Sequence, residues 1–63
     1  MWDAKTIKDI AEWAMERYGE EAGEHVRQRA ERRRLQGSLE AERDWLAVLV
    51  QIYDMRKASK NGH

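Results

Sequence analysis

The stretch DWLAVLVQIYDM, from Asp44 to Met55, is the densest apolar run in the chain, and the rest of the fold has to be arranged around it. At about 100° per residue on a helix, Leu39, Ala41, Trp45, Leu46, Val48, Leu49, Val50, Ile52, Tyr53 and Met55 spread over an arc of roughly 220°. A surface helix normally buries a stripe only a little over 100° wide, so one neighbour cannot cover this one. The segment is therefore either packed between two helices of its own chain or shared with a second chain. Glu40, Asp44, Ala47, Gln51 and Asp54 form the expected solvent side.

Length sharpens that constraint. A chain of 63 residues buries only about 60% of its unfolded surface on folding, so a monomer is marginal. There is no cysteine, which removes disulfides and thiolate-bound zinc as staples and leaves the redox compartment unencoded. Oligomerisation is the staple that remains. Proline and phenylalanine are absent, and alanine, glutamate and arginine are the commonest residues, a composition that reads as all-α. Twelve basic and twelve acidic side chains give a net charge of zero, which argues against a surface devoted wholly to nucleic acid or an anionic membrane. The longest apolar run, LAVLV, is far too short to span a bilayer, and Met1-Trp2-Asp3 does not open like a secretory signal. The expectation is a soluble cytoplasmic protein without membrane contact.

Asp3 is a natural N-cap, and Ala4, Ile7, Ala11, Ala14 and Tyr18, joined by Ile10 and Met15, recur at helical spacing, predicting a first helix over residues 3–18. Gly19 then occupies the position where a left-handed glycine commonly ends a helix, and Glu20-Glu21 bring the negative charge that suits a new N-terminus. A turn is expected at Tyr18-Gly19. The alternative keeps Gly19 inside one kinked helix from Asp3 to Leu35, at about 1 kcal/mol relative to alanine. A second helix over 20–36 carries the narrow stripe Ala22, Val26 and Ala30 between the stems of Arg29 and Arg33. Gly37-Ser38 is the clearest punctuation, followed by a third helix over 39–57 and a flexible tail over 58–63 that has no apolar anchor.

Ala14, Tyr18-Gly19, Glu21-Ala22, Arg29-Ala30, Gly37-Ser38, Trp45 and Ile52 together resemble the pattern of a group of small alphaproteobacterial helical proteins of unknown function. The likeness runs from Ala11 to Met55 in elements one or two residues long, and the arginine run, Trp2 and Trp13 depart from it. It implies a bacterial source and a compact helical hairpin or three-helix unit, and it brings no activity.

Few residues suggest chemistry. Glu21 and His25 stand at i, i+4, yet zinc normally takes three or four protein ligands and the only other histidine, His63, lies in the expected tail. No nucleophile has a recognisable base and orienter near it, there is no phosphate-cradling glycine loop, and a bundle this small offers little concavity. Neither a cofactor nor enzymatic activity is expected. Arg27, Arg29, Arg32, Arg33 and Arg34 give a local charge of +4 once Glu31 is counted, which makes them candidates for nucleic-acid contact. Against that, residues 1–26 hold seven acids and three bases, a net of −4 able to neutralise them, and helical spacing scatters the five around their helix. Trp13 lies off the first helix's apolar stripe, with Trp2 on nearly the same side, and tryptophan is over-represented among interface hot spots; the alternative is that both lie over the edges of neighbouring helices as core margin.

The sequence thus predicts an all-α domain over residues 1–57, a small three-helix bundle or a helical hairpin, completed by oligomerisation. Its expected role is that of a non-enzymatic protein–protein interaction protein or accessory subunit, as a homodimer or with a larger protein partner. Trp13, Leu46, Val50 and Tyr53 are the expected interface, and a nucleic-acid-binding accessory protein using Arg27–Arg34 is the alternative.

Overall fold

Two glycines divide the chain. In the computed structural model, which describes the backbone of residues 1–61 and the side chains of residues 1–58, Gly19 and Gly37 are the two residues with positive φ, at 59° and 83°. They separate α1 (Ala4–Tyr18), α2 (Ala22–Leu35) and α3 (Leu39–Asn61), with a single 3₁₀ turn over Gly19–Glu21 leading into α2. The described residues contain no strand, and the fold is all-α. The break at Gly19 is therefore a real turn and not a kink in one long helix.

Each boundary has a local cause. Asp3 caps α1, its Oδ1 accepting the Thr6 N–H at 2.8 Å while its carbonyl accepts the Ile7 N–H at 3.0 Å. The Gly19 N–H closes α1 by donating to the Met15 carbonyl. At the end of α2, Ser38 donates to the Arg33 carbonyl at 3.0 Å and Gly37 to the Arg34 carbonyl at 2.9 Å, the paired bonds of a Schellman motif that needs a left-handed residue at Gly37. The Ser38 carbonyl then accepts the Glu42 N–H at 3.0 Å, the first turn of α3. That helix does not stop near Lys57 as expected. Ala58, Ser59 and Lys60 lack an apolar anchor, but none of them breaks a helix, and the expected flexible tail is helical as far as Asn61. Gly62 and His63, the rest of that tail, lie outside the described residues.

Contacts at both ends fix the arrangement. Near the start of α3, the Trp2 N–H donates to Asp44 Oδ1 at 3.3 Å and the Trp2 ring meets Trp45 edge-on with centroids 5.1 Å apart. Near its end, Arg56 Nη2 donates to the carbonyls of Gly19 and Glu20 at 2.9 and 2.8 Å, fastening the α1–α2 turn to α3. So α1 runs parallel to α3, and α2 returns antiparallel between the same two ends. Helix α3 packs on both others, as its broad apolar arc requires.

The interior is small. Its buried apolar side chains are Ala11 and Ala14 of α1, Ala22, Val26 and Ala30 of α2, and Val48 and Ile52 of α3. Four of these seven are alanines, so the helices approach closely and only Val26, Val48 and Ile52 supply branched bulk. Trp2, Ile7, Ile10, Met15, Tyr18, Trp45, Leu49 and Met55 close the margin, each only partly buried. Asp44, Ala47 and Gln51, expected on the solvent side of α3, are half-buried instead, because the polar edge of α3 is partly covered and an apolar edge is left outward.

Candidate interaction surface

The outward edge of α3 is apolar. Leu46, Val50 and Tyr53 are 40%, 59% and 53% exposed, with Leu39 above them at 63%. At about 100° per residue these four occupy an arc of about 60°, centred roughly opposite the buried pair Val48 and Ile52. Tyr53 is positioned by α2, since a side chain at Gly23 would meet its Cε1 at 3.5 Å and Leu49 Cδ1 at 3.6 Å. The ring thus lies over bare backbone with its other face in solvent. Beside Leu46, a shallow groove between α2 and α3 is lined by Arg27, Ala30, Glu31, Arg34 and Glu42.

Trp13, expected to assist this stripe, does not join it. Its ring, 45% exposed, meets Tyr18 edge-on with centroids 5.9 Å apart, and Tyr18 stacks on His25 at 3.8 Å. His25 lies about 160° round α2 from Arg27, which borders the Leu46 groove, so Trp13 belongs to the opposite flank of that helix. Trp2 takes the second of the two readings open to it. It is half-buried against Trp45 and serves the core margin.

As expected, the arginines do not line one face; they divide between two flanks of α2. Arg27 and Arg34 lie on the Leu46 side among carboxylates, where Arg27 Nη2 donates to Glu24 Oε1 at 2.9 Å and holds that carboxyl below the usual glutamate range. Arg29, Arg32 and Arg33 lie on the other flank. Arg29 sits over the Trp45 ring at 5.4 Å, and Arg33 Nη1 donates to Gln36 Oε1 at 3.2 Å. With Arg32 these line one shallow groove, and His25 and Gln28 extend it along the helix. Among the described residues no carboxylate lines either part. Arg29 first, and Arg17 second, hold the Tyr18 hydroxyl below the usual tyrosine range.

Sequence reasoning missed Arg56 as a clamp on the α1–α2 turn. The local pattern marked it only as a base near a helix end; its partners, Gly19 and Glu20, are 37 and 36 residues away. Among the described residues no three of His, Cys, Asp or Glu gather to hold a metal ion, and the face of the His25 ring is taken up by Tyr18. Among them, too, no helix is long and apolar enough to cross a membrane. Compared with protein families, with curated proteins and with solved structures, the chain matches none.

Proposed function

We propose that this is a small, non-enzymatic protein–protein interaction protein of the bacterial cytoplasm, and that its docking face is the outward edge of α3. One observation carries the reading: Leu46, Val50 and Tyr53 form a continuous exposed stripe while the interior is built largely from alanine. Large apolar side chains placed outside a core this small stabilise the chain most when something covers them. The test replaces Leu46 and Val50 by glutamate together. The expected result is a chain with unchanged far-UV circular dichroism that loses assembly, whether with itself in sedimentation or with a protein captured by the wild type from its source. Unfolding of the double variant at low concentration, or assembly unchanged by it, would overturn the reading.

A second reading, contact with nucleic acid, is favoured by the gathering of Arg29, Arg32 and Arg33 beside Trp45 on a flank without carboxylates. It ranks lower because the chain as a whole carries no net charge, Arg27 is paired with Glu24, and Arg34 lies on the other flank beside Leu46. Titration with duplex DNA and structured RNA at two salt concentrations decides it. Tight binding with a steep salt slope, abolished by Arg29→Glu with Arg33→Glu, would raise it to first place.

A further inference from the structure

We infer that the occupant of the outward α3 face is a second copy of this chain, packed antiparallel with residue i of one α3 opposite residue 99 − i of the other. The inference rests on the docking reading above and names its partner.

The stripe reads Glu42, Leu46, Val50, Tyr53, Lys57 along α3, within an arc of about 80°. An acid stands at one end, a base at the other, and apolar side chains lie between. A parallel pair of such stripes would set Glu42 against Glu42 and Lys57 against Lys57. Inverting one copy instead sets Glu42 against Lys57 of the second copy at both ends and Leu46 against its Tyr53. Leu49 and Val50 then straddle the two-fold axis. All three pairings share the one register, because each pair of residue numbers sums to 99. A two-fold contact of this kind is self-complementary and closes at two copies, leaving no open edge for a filament.

Size fits the same occupant. From Glu42 to Lys57 the stripe is about 22 Å long, roughly two thirds of the length of α3. The exposed surface of Leu46, Val50 and Tyr53 comes to roughly 300 Å² per chain, or about 600 Å² for two copies, before the stems of Arg27, Arg34 and Lys57 are added. Stable specific interfaces bury about 1,200 Å² or more in total, so the contact falls below that class, among weak and reversible encounters, and the dissociation constant is expected at roughly tens to hundreds of micromolar. Zero net charge on each copy removes the repulsion that would otherwise oppose it.

Sedimentation equilibrium of the whole chain from about 1 to 500 micromolar tests the dimer, and charge exchange tests the register. Glu42→Lys and Lys57→Glu are each expected to weaken dimerisation about fivefold, since both ends of the symmetric contact then oppose like charges. The double exchange is expected to restore it to within about twofold, with the circular dichroism of all four chains alike. The natural absence of cysteine allows a second readout. Chains carrying Glu42→Cys, mixed with chains carrying Lys57→Cys, should be joined by a short thiol cross-linker, while neither chain alone should be. Cross-linking within a single-variant sample, or a double exchange that fails to restore dimerisation, would overturn the antiparallel register. A wild type that stays monomeric at 500 micromolar yet captures a different protein, with capture lost in the Leu46→Glu, Val50→Glu chain, would overturn this inference and leave the docking reading standing. Absence of both assemblies would overturn both.

Discussion

Ile52 is the largest side chain buried completely, and truncating it tests how little holds the monomer together. It belongs to the buried cluster with Ala11, Ala14, Ala22, Val26 and Val48, closed at its margin by larger side chains such as Met15, Leu49 and Met55. Native domains are stable by about 0.05–0.15 kcal/mol per residue, so a chain of 63 residues has roughly 3–9 kcal/mol to lose. Ile52→Val should remove about 0.5–1.5 kcal/mol, and Ile52→Ala about 2–5 kcal/mol, a cavity cost comparable with the whole. With a urea slope of about 1 kcal/mol per molar, the valine variant should shift the midpoint by roughly 0.5–1.5 M and the alanine variant should show no folded baseline. The control is Val50→Ala on the outward face, measured at low micromolar concentration, where the loss should stay below about 0.5 kcal/mol. Far-UV circular dichroism against urea reads all three. An Ile52→Ala chain that loses less than about 1 kcal/mol, or a Val50→Ala chain that loses as much, would refute the assignment of core and surface on α3.

The two turn glycines should respond differently to substitution. Gly19, at φ 59° and ψ −126°, lies outside any region open to a side chain, so Gly19→Ala and Gly19→Asn should both lose about 1–3 kcal/mol in urea melts, whereas Gly37→Asn, in the left-handed seat of a Schellman motif, should lose well under 1 kcal/mol. Gly23→Ala should stabilise by roughly 0.5–1 kcal/mol, because its Cβ meets Tyr53 and Leu49 at ordinary contact distances and the helix gains a better former; a loss on calorimetry would show that Tyr53 cannot share the space. The Asp3 carboxyl is held below the usual aspartate range, first by its bond from the Thr6 backbone, so its cap contributes at neutral pH and fades as pH falls through the ordinary value and on through the lower folded one. Asp3→Ala should therefore destabilise at about pH 7 and be indistinguishable from wild type near pH 2, and an equal deficit at both would refute the cap.

How much of this was legible in the sequence depended on whether the cause was local. Asp3, Gly19 and Gly37 act within a few residues, through a cap and two left-handed turns, and the pattern named all three. The surplus stripe Leu46, Val50 and Tyr53 was also visible, because a helix periodicity wider than one neighbour must leave some of its apolar positions outside. Which edge of α3 would receive α1 was not visible. The bond from the Trp2 N–H to Asp44 spans 42 residues, and nothing in the spacing around Asp44 marks it as a partner and not a solvent-side acid. That the five arginines do not line one face follows from helical angles alone, but which neighbour each group lies beside does not. Helix α3 then divides them, with Arg27 and Arg34 beside Leu46, and Arg29 and Arg33 beside Trp45.

Putting alanine inside and leucine, valine and tyrosine outside couples folding to assembly. Close helix approach through Ala11, Ala14, Ala22 and Ala30 forms an interior that buries little area, so the exposed parts of Leu46, Val50 and Tyr53 contribute only when a partner covers them. A partner that binds the folded chain alone stabilises it by mass action, by about 2.7 kcal/mol at a concentration one hundred times the dissociation constant. That is about the size of the Ile52→Ala penalty. Thermal melting of the wild type should therefore rise with its own concentration across the micromolar range, and the Leu46→Glu, Val50→Glu chain should melt at one temperature throughout. In the same series, Ile52→Ala should regain a folded baseline at high concentration, since dimerisation supplies what the cavity removed. A wild-type melting temperature that does not move over a hundredfold change in concentration would sever folding from self-association and leave the alanine interior to hold the chain alone.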